Sequence, residues 1–206
     1  MKVLLINGSP HEKGCTYTAL SLIAGELNKA GIDTEILHVG GKPVGGCIGC
    51  GGCRSGNGCV FGGVVNEAIE KAKTADGFVF GSPVHYASAS GNMTSFMDRL
   101  SYAGGKYLAY KPAAICCSAR RAGTTTTLDQ LVKYPQFFHM PLVNGSYWAM
   151  VHGSNPEQVL QDAEGCAVMQ ELGRNMAWLL RCIEAGKAAG IDHPQNPPRP
   201  MTNFIR

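Results

Sequence analysis

Short apolar runs alternate along the chain with longer segments in which apolar residues recur every three or four positions. The first run, Lys2 to Asn7, is mostly apolar and ends at Gly8, which is typical of a parallel strand buried on both faces. The next segment, Thr16 to Ala30, has apolar residues at helical spacing and stops at Gly31, a favoured residue just beyond a helix. The pattern predicts strands that alternate with helices.

The same two patterns repeat through the rest of the chain. Further strands are predicted at 34–38, 77–81 and 113–117, with a fifth strand or strand pair within 142–151. Helices are predicted at 64–74, at 90–102, in the first part of 123–138 and over one long stretch at 156–185. Five strands alternating with helices favour an α/β domain with a doubly wound parallel sheet.

Length and composition favour one domain. The 206 residues and 45% hydrophobic content suffice for one substantial core, and no linker divides the chain. We therefore expect one domain over 1–190 and a proline-rich tail, 191–206, that is not helical between Pro194 and Pro200. A net charge of +3 without a basic run argues against nucleic acid as a partner. With no apolar span and no secretion signal, we expect no membrane partner and a cytoplasmic location.

Ligands of doubly wound sheets bind beyond the carboxyl ends of the strands, so the loops there are the candidate sites. The loop after the first strand brings Ser9, Thr16 and Thr18 beside a helix start, and hydroxyls in that place bind phosphate. Thr16 is equally suited to capping the helix. Neither G-x-G-x-x-G nor G-x-x-x-x-G-K-[ST] is present in this loop, so a single terminal phosphate is favoured.

The loops after the third and fourth strands suit a flat ring. Gly81 to Gly91 offers a proline, an aromatic side chain and His85 beside exposed backbone, a surface typical of heteroaromatic ligands. His85 has no second histidine nearby and is favoured as a ring-contacting or structural residue over a metal ligand. Ser118 to Thr124 carries two arginines, which either stabilise negative charge on a reduced ring or are simply solvated.

A glycine-rich loop, 40–62, contains four cysteines in the spacing C-x2-C-x2-C-x5-C: Cys47, Cys50, Cys53 and Cys59. This spacing lets four thiolates converge on one [4Fe-4S] cluster. The nine cysteines of the chain are expected to stay reduced in the cytoplasm, which favours a metal or redox role. Four thiolates also suit zinc, so a zinc site, a cluster-free thiol loop and disulfides are the alternatives.

The other cysteines are given simpler roles. Small core residues are predicted at Cys116, Cys117, Cys166 and Cys182, which fall on strand or helix patterns. Cys15 lies near a helix start, where its thiol is expected to be acidified, although its backbone amide is the more useful group.

Together these loops resemble those of the flavodoxin-like NAD(P)H-dependent FMN reductases. The similarity runs from Lys2 to about Thr124, and its most specific parts are Gly8-Ser9-Pro10 with Thr16, Gly81 to Tyr86 with Gly91, and Phe96 to Arg99. The cysteine loop is similar to that of the iron-sulfur flavoproteins, which implies a [4Fe-4S] cluster. The resemblance also implies a five-stranded sheet in the order 2-1-3-4-5 and FMN as cofactor.

Carried over residue by residue, the resemblance implies three groups of FMN contacts. The phosphate would be surrounded by Ser9, Cys15, Thr16, Tyr17 and Thr18. The ring and ribityl chain would be contacted by Pro83, Val84, His85, Tyr86 and Ala87, and the pyrimidine side by Ser118, Ala119, Arg120 and Gly123. Asp98 and Arg99 are expected to hold their helix to its neighbours rather than to act chemically.

The implied activity is hydride transfer from NAD(P)H to FMN, followed by electron transfer to a small acceptor such as a flavin, quinone, nitro or azo compound. The alternative is an electron carrier that uses the cluster and a ferredoxin-like partner. A redox or metal sensor is a weaker third hypothesis, because no DNA-binding element is evident. The resemblance further implies a homodimer or homotetramer, and residues such as Tyr147, Trp148 and Trp178 offer apolar surface for it.

Overall fold

The computed structural model describes residues 1–198, 200 and 202. Its strands are β1 (Lys2–Asn7), β2 (Asp33–His38), β3 (Gly77–His85), β4 (Ser88–Ala89), β5 (Ala113–Ala119) and β6 (Met150–His152). Its helices are α1 (Cys15–Lys29), α2 (Val64–Thr74), α3 (Gly91–Gly104), α4 (Thr124–Phe137), α5 (Pro156–Val159) and α6 (Ala163–Ala188). Two short 3-10 turns lie at Gly52–Ser55 and Gly105–Tyr107.

Five strands form a parallel sheet in the order β2-β1-β3-β5-β6, and the two-residue strand β4 pairs antiparallel with the end of β3. With the short hairpin strand set aside, this is the order 2-1-3-4-5. The predicted flavodoxin-like sheet is therefore confirmed. Because all five strands run the same way, the loops that follow them meet at one edge.

The sheet has a hydrophobic layer on each face. One layer packs the strands against α2, α3 and α4, with Phe78, Phe80 and Phe96 fully buried in it. The other packs them against α1 and α6, around residues such as Leu20 and Met176. Strands covered on both faces explain why the sequence shows continuous apolar runs instead of alternation.

Three predicted elements differ from the structure. The predicted helix 156–185 is two helices, because Asp162 turns the chain and caps α6 by accepting a hydrogen bond from Gly165 N at 2.9 Å. Helix α4 extends through nearly all of 123–138, since Pro135 lies in its last turn and interrupts little of the ladder. The segment 142–151 pairs with β5 only at Leu142 and over β6. Between those points α6 holds it out of the sheet through Glu171, which accepts from Ser146 N at 2.7 Å.

The prediction of core cysteines is only half right. Cys116 and Cys117 are buried in β5, and burial raises the pKa of the Cys117 thiol to about 12. Cys166 is only partly buried, and Cys182 lies on the exposed face of α6. Helical spacing alone did not distinguish the buried face of this long helix from its solvent face.

The C-terminal tail begins after α6. Residues 191–198, and residue 200, have no helix or strand, as predicted for the proline-rich segment. Residues 199, 201 and 203–206, which belong to the predicted tail, lie outside the described residues. The division into a domain 1–190 and a tail 191–206 stays a prediction. In the described part of the chain, every helix is too short or too polar to cross a bilayer.

Candidate functional site at the carboxyl edge of the sheet

The loop between β1 and α1 is shaped from inside by Asn7, the last residue of β1. The Asn7 side chain is fully buried; its Nδ2 donates to Glu12 O at 2.9 Å and its Oδ1 accepts from Ser9 N at 3.1 Å. The amide thus bridges both sides of the loop. No sequence signal predicted this role, because Asn7 looks like an ordinary strand end.

Two of the predicted phosphate-binding hydroxyls, those of Ser9 and Thr16, are buried at this edge, and Ser118 of β5 is paired with Thr16. Ser9, Thr16 and Ser118 are each at least 96% buried, and Thr16 Oγ1 lies 2.8 Å from Ser118 Oγ. Ser9 Oγ accepts from His11 N at 3.1 Å, so its own hydrogen is left to donate. In the Thr16–Ser118 pair one hydroxyl likewise keeps a hydrogen for another acceptor. Ser118, which the resemblance assigns to the pyrimidine side of the flavin, has Thr16 as its hydrogen-bond partner. Its role on the pyrimidine side stays a prediction.

Helix α1 begins behind these hydroxyls. Gly14 is its N-cap and makes no side-chain cap, so the capping role considered for Thr16 is wrong. The first amides of a helix have no partners within it, so those of Cys15, Thr16 and Tyr17 are available as donors at the start of α1. The hydroxyl of Thr18 does not have its hydrogen free for an anion, because it donates to Gly14 O at 3.2 Å.

The thiol of Cys15 does not behave as predicted. Burial raises its pKa, and the thiol lies 3.5 Å from Gly153 O, an acceptor that stabilises the protonated form. The expectation of an acidified thiol is therefore wrong. The backbone amide of Cys15 is the group that remains for an anion, as the sequence favoured.

The second predicted loop at the carboxyl edge consists of Pro83, Val84, His85, Tyr86 and Ala87. Here β3 turns into β4 through a tight hairpin with Val84 opposite Ala89. Tyr86 and Ala87 form its tip, with φ angles of 49° and 58°, a left-handed conformation that costs side-chain-bearing residues about 1–2 kcal/mol each. Tyr86 is fully exposed. Strain of this kind in an exposed loop is common where a ligand is clamped.

The turn between β5 and α4 packs against this hairpin. Gly123 adopts φ 91° and lies so close to the hairpin that an added Cβ would come 2.6 Å from Ala87 Cα. Thr126 Oγ1 donates to Ala87 O at 2.7 Å and holds the turn and the hairpin together. Ala119 is buried at the end of β5, whereas Arg120 is exposed. The structure thus brings the predicted second and third loops into contact with each other at the carboxyl edge of the sheet.

The cysteine loop also leaves this edge, after β2, and then runs along α3. Asn92 anchors its start, accepting from Val44 N and donating to Gly40 O, each at 3.0 Å. Asn66 anchors its end, accepting from Cys59 N at 2.8 Å and donating to Cys59 O at 3.0 Å. Glycines with left-handed φ angles, Gly49, Gly51, Gly56 and Gly58 among them, make the tight path possible.

All four cysteines of this loop line a single cavity of about 330 Å³. Cys47 and Cys50 are exposed, Cys53 and Cys59 are partly buried, and all four are free thiols. The cavity is completed by Phe61 and by Arg99 and Tyr102 of α3. Within the described residues no three His, Cys, Asp or Glu side chains are already grouped as a metal site. The four free thiols give the disulfide alternative no support.

Asp98 and Arg99 were expected to hold their helix to its neighbours, and both do. Asp98 accepts from Tyr134 Oη of α4 at 2.6 Å, and burial together with this contact raises the pKa of Tyr134. Arg99 holds α3 to the cysteine loop, with its Nε 3.3 Å from Cys59 Sγ. No spacing rule in the sequence connects a residue of α3 with the fourth cysteine.

The fold defines a flavodoxin-like protein, with the three predicted loops together at the carboxyl edge of its sheet. A model of the family described as NADPH-dependent FMN reductase matches residues 1–155. The chain belongs to this family and is a flavin-dependent oxidoreductase, and the resemblance inferred from the sequence is confirmed. FMN, inferred there as the cofactor, is the flavin in the family's description.

Relatives and solved structures agree with this assignment. The chain is 29% identical over 193 residues to an iron-sulfur flavoprotein of Methanocaldococcus jannaschii, covering 89% of this chain and 100% of the relative. A flavodoxin from the domain Archaea is similar in fold, with a TM-score of 0.60 and 14% identity over 88% of this chain and 99% of that one. RosB with a bound riboflavin-5'-phosphate derivative is also similar, with a TM-score of 0.70 and 14% identity over 100% and 94% of the two chains.

Proposed function

We propose that the protein binds FMN at the carboxyl edge and uses it to carry electrons from NAD(P)H to a small acceptor. The observation that carries this proposal is the burial of the Ser9, Thr16 and Ser118 hydroxyls at the carboxyl edge, where α1 begins. Buried donors with hydrogens to spare need an acceptor, and a phosphate monoester supplies several. The ring would lie against the hairpin and the start of α4.

The residues present fit FMN. Ser9, Thr16 and Ser118, with the amides of Cys15 and Tyr17, would hold the phosphate as an anion without a basic side chain. The hairpin tip would offer backbone groups to the ring edge. Arg120 is exposed in the turn between β5 and α4, and it would favour negative charge on a ring bound beside that turn.

In this proposal the chain binds and orients, and the chemistry belongs to the cofactor. FMN would accept a hydride from NAD(P)H and pass two electrons to a quinone, nitro, azo or flavin acceptor, which leaves NAD(P)⁺ as the other product. The protein needs no acid, base or nucleophile of its own for this exchange. The fully exposed Tyr86 leaves the tip of the hairpin open to a second substrate.

A second function is favoured by the cysteine cavity. We propose that it holds a [4Fe-4S] cluster; the name of the Methanocaldococcus jannaschii relative describes that protein as an iron-sulfur flavoprotein. Four soft thiolates from one 13-residue segment suit iron and sulfide, and the cavity walls exclude part of the solvent. Binding would have to draw the thiolates together. The protein would then pass single electrons to or from a ferredoxin-like partner.

The two functions are separated by turnover assays under strict anaerobiosis. We expect purified protein to oxidise NADPH or NADH with an artificial quinone acceptor. An electron carrier would turn over only when reduced ferredoxin is supplied. A protein that binds FMN but is inert with both nicotinamides would contradict the reductase proposal. Absence of iron and sulfide after reconstitution would contradict the cluster proposal alone.

Assembly and location are further parts of this proposal. We propose a homodimer or homotetramer and a cytoplasmic location. The assembly is supported by exposed aromatic side chains, since Trp178 and Trp148 expose 67% and 57% of their surface and Tyr102 exposes 74% next to the cysteine cavity. Light scattering tests the assembly. A monomer at micromolar concentration would contradict it.

A further inference from the structure

Arg99 is a buried charge without an acidic partner. Its side chain is 7% exposed, on the face of α3 that meets the cysteine loop. Among the described residues no carboxylate forms an ion pair with it. Burying a guanidinium is costly unless it is paired and fully hydrogen-bonded, so the site is incomplete as a set of neutral groups.

Every hydrogen bond of this guanidinium goes to the cysteine loop. Nη1 donates to Gly45 O at 3.3 Å and Nη2 donates to Gly62 O at 3.0 Å, one on each side of the four cysteines. Nε donates to Cys59 Sγ at 3.3 Å. The planar fork therefore fixes both ends of the loop and directs one donor at a sulfur, which lysine, with a single ammonium, cannot reproduce.

The charge of the surrounding cavity has one sign. Arg54 lines it together with Arg99, and no aspartate or glutamate is among the described residues of its wall. The carbonyl dipoles of Gly45 and Gly62 satisfy donors but carry no net charge. Arg54 is exposed to solvent, so Arg99 is the buried charge for which ligating thiolates would supply the missing negative partner.

We propose that Arg99 is the positioning residue and fixed counter-charge for the anionic thiolates of this cysteine loop. The inference rests on the proposed cluster and deepens it. Arg99 would hold Cys59 in place for ligation, and its charge would stabilise the cluster most after one electron has been added, since the negative charge is then largest. The residue therefore raises the reduction potential as well as the occupancy.

The test compares Arg99→Gln, Arg99→Lys and a control, Arg174→Gln, which removes an exposed arginine paired with Glu26 on the far side of the sheet. Each protein is reconstituted anaerobically with ferrous iron and sulfide. Iron and sulfide per chain are assayed, and the midpoint potential of the loaded fraction is measured by redox titration with electron paramagnetic resonance detection. Circular dichroism monitors folding.

We expect Arg99→Gln to lose occupancy several-fold and to favour the oxidised cluster about tenfold more than wild type, a shift of ~59 mV downward for one electron. Arg99→Lys keeps the charge and should keep the potential while losing occupancy. Arg174→Gln should match wild type in both.

Normal occupancy and an unchanged potential in Arg99→Gln would overturn the role of Arg99 while leaving the cluster proposal intact. Wild-type protein that takes up no iron would instead refute the cluster. If Arg99→Gln does not fold, Arg99→Lys decides alone: wild-type occupancy in that variant overturns the positioning role.

Discussion

Side chains at the carboxyl edge are of two kinds: those proposed to bind a ligand and those that shape the loop. The hydroxyls of Ser9 and Thr16 were predictable, because serine and threonine before a helix start are a recognised anion signal. Asn7 and Arg99 were not, since their partners are fixed by the path of the folded chain. The wrong prediction for Cys15 has a similar cause: desolvation outweighs the helix start once the thiol is packed.

Thr16 and Thr18 form a matched pair for testing the phosphate site. Thr16→Val removes a buried hydroxyl bonded to Ser118, and we expect FMN to bind about tenfold more weakly, the value of one ordinary hydrogen bond. Thr18→Val removes a hydroxyl already directed at Gly14 O and should change the affinity less than about threefold. Fluorescence titration of apoprotein with FMN measures both. Equal losses in the two variants would show that the hydroxyl geometry is not what binds the phosphate.

Gly123 and Gly25 test backbone constraints with the same substitution. Gly123→Ala forces a side chain into a left-handed conformation and against Ala87, and should cost about 1–3 kcal/mol in the free energy of unfolding. Gly25→Ala lies inside α1 with open space around its Cβ, and should stabilise by up to about 1 kcal/mol. Urea unfolding gives both values. If Gly123→Ala changes neither the free energy of unfolding nor the FMN affinity, the close contact between the hairpin and the start of α4 does not shape the site.

At the scale of elements, most strands and helices followed from the apolar pattern, and the exceptions are short or lack a local signal. The β3–β4 hairpin escaped prediction because its tip, Tyr86-Ala87, lacks the Asn-Gly or Asp-Gly pair that usually marks such turns. The break before α6 escaped because no glycine or proline interrupts Leu160 to Asp162. Asp162 caps the helix through a bond that only the fold reveals.

Glu35 links three elements through two ion pairs. Its carboxylate meets Lys2 of β1 and Lys71 of α2 at 2.6 Å each, and the contact with Lys2, followed by that with Lys71, holds the pKa of Glu35 below its usual value. A lowered folded-state pKa means that the contribution to stability is complete above the unfolded-state pKa of about 4.3 and is lost as the pH falls through the folded-state value.

Glu35→Gln should therefore be less stable than wild type at pH 7, by no more than about 1 kcal/mol because the pair is partly open to solvent. The difference should close in acid as the pH falls through the lowered pKa of Glu35, and it should shrink in high salt. Thermal unfolding across pH measures it. Glu70→Gln, which removes a more exposed pair with Lys73, is the control and should show a smaller effect. A gap that persists at low pH would contradict the ion-pair account.

For the molecule as a whole, the fold follows from both-face burial of the strands, and its strand order came from the resemblance rather than from the residues. The proposed FMN site and the cysteine cavity are both formed by loops that leave the carboxyl edge. The cavity lies farther along α3 from that edge, because Asn92, which anchors the start of the cysteine loop, and Arg99, which lines the cavity, are seven residues or roughly 10 Å apart along the helix. Exposed Tyr102 beside the cavity suits the proposed contact with another chain.

The most direct test of this account is the visible absorption spectrum of anaerobically purified protein, recorded before and after addition of NADPH or NADH. We predict flavin bands from about one FMN per chain, and bleaching of these bands by one of the nicotinamides. A colourless protein that does not take up added FMN would contradict the central claim that the carboxyl edge is a flavin site.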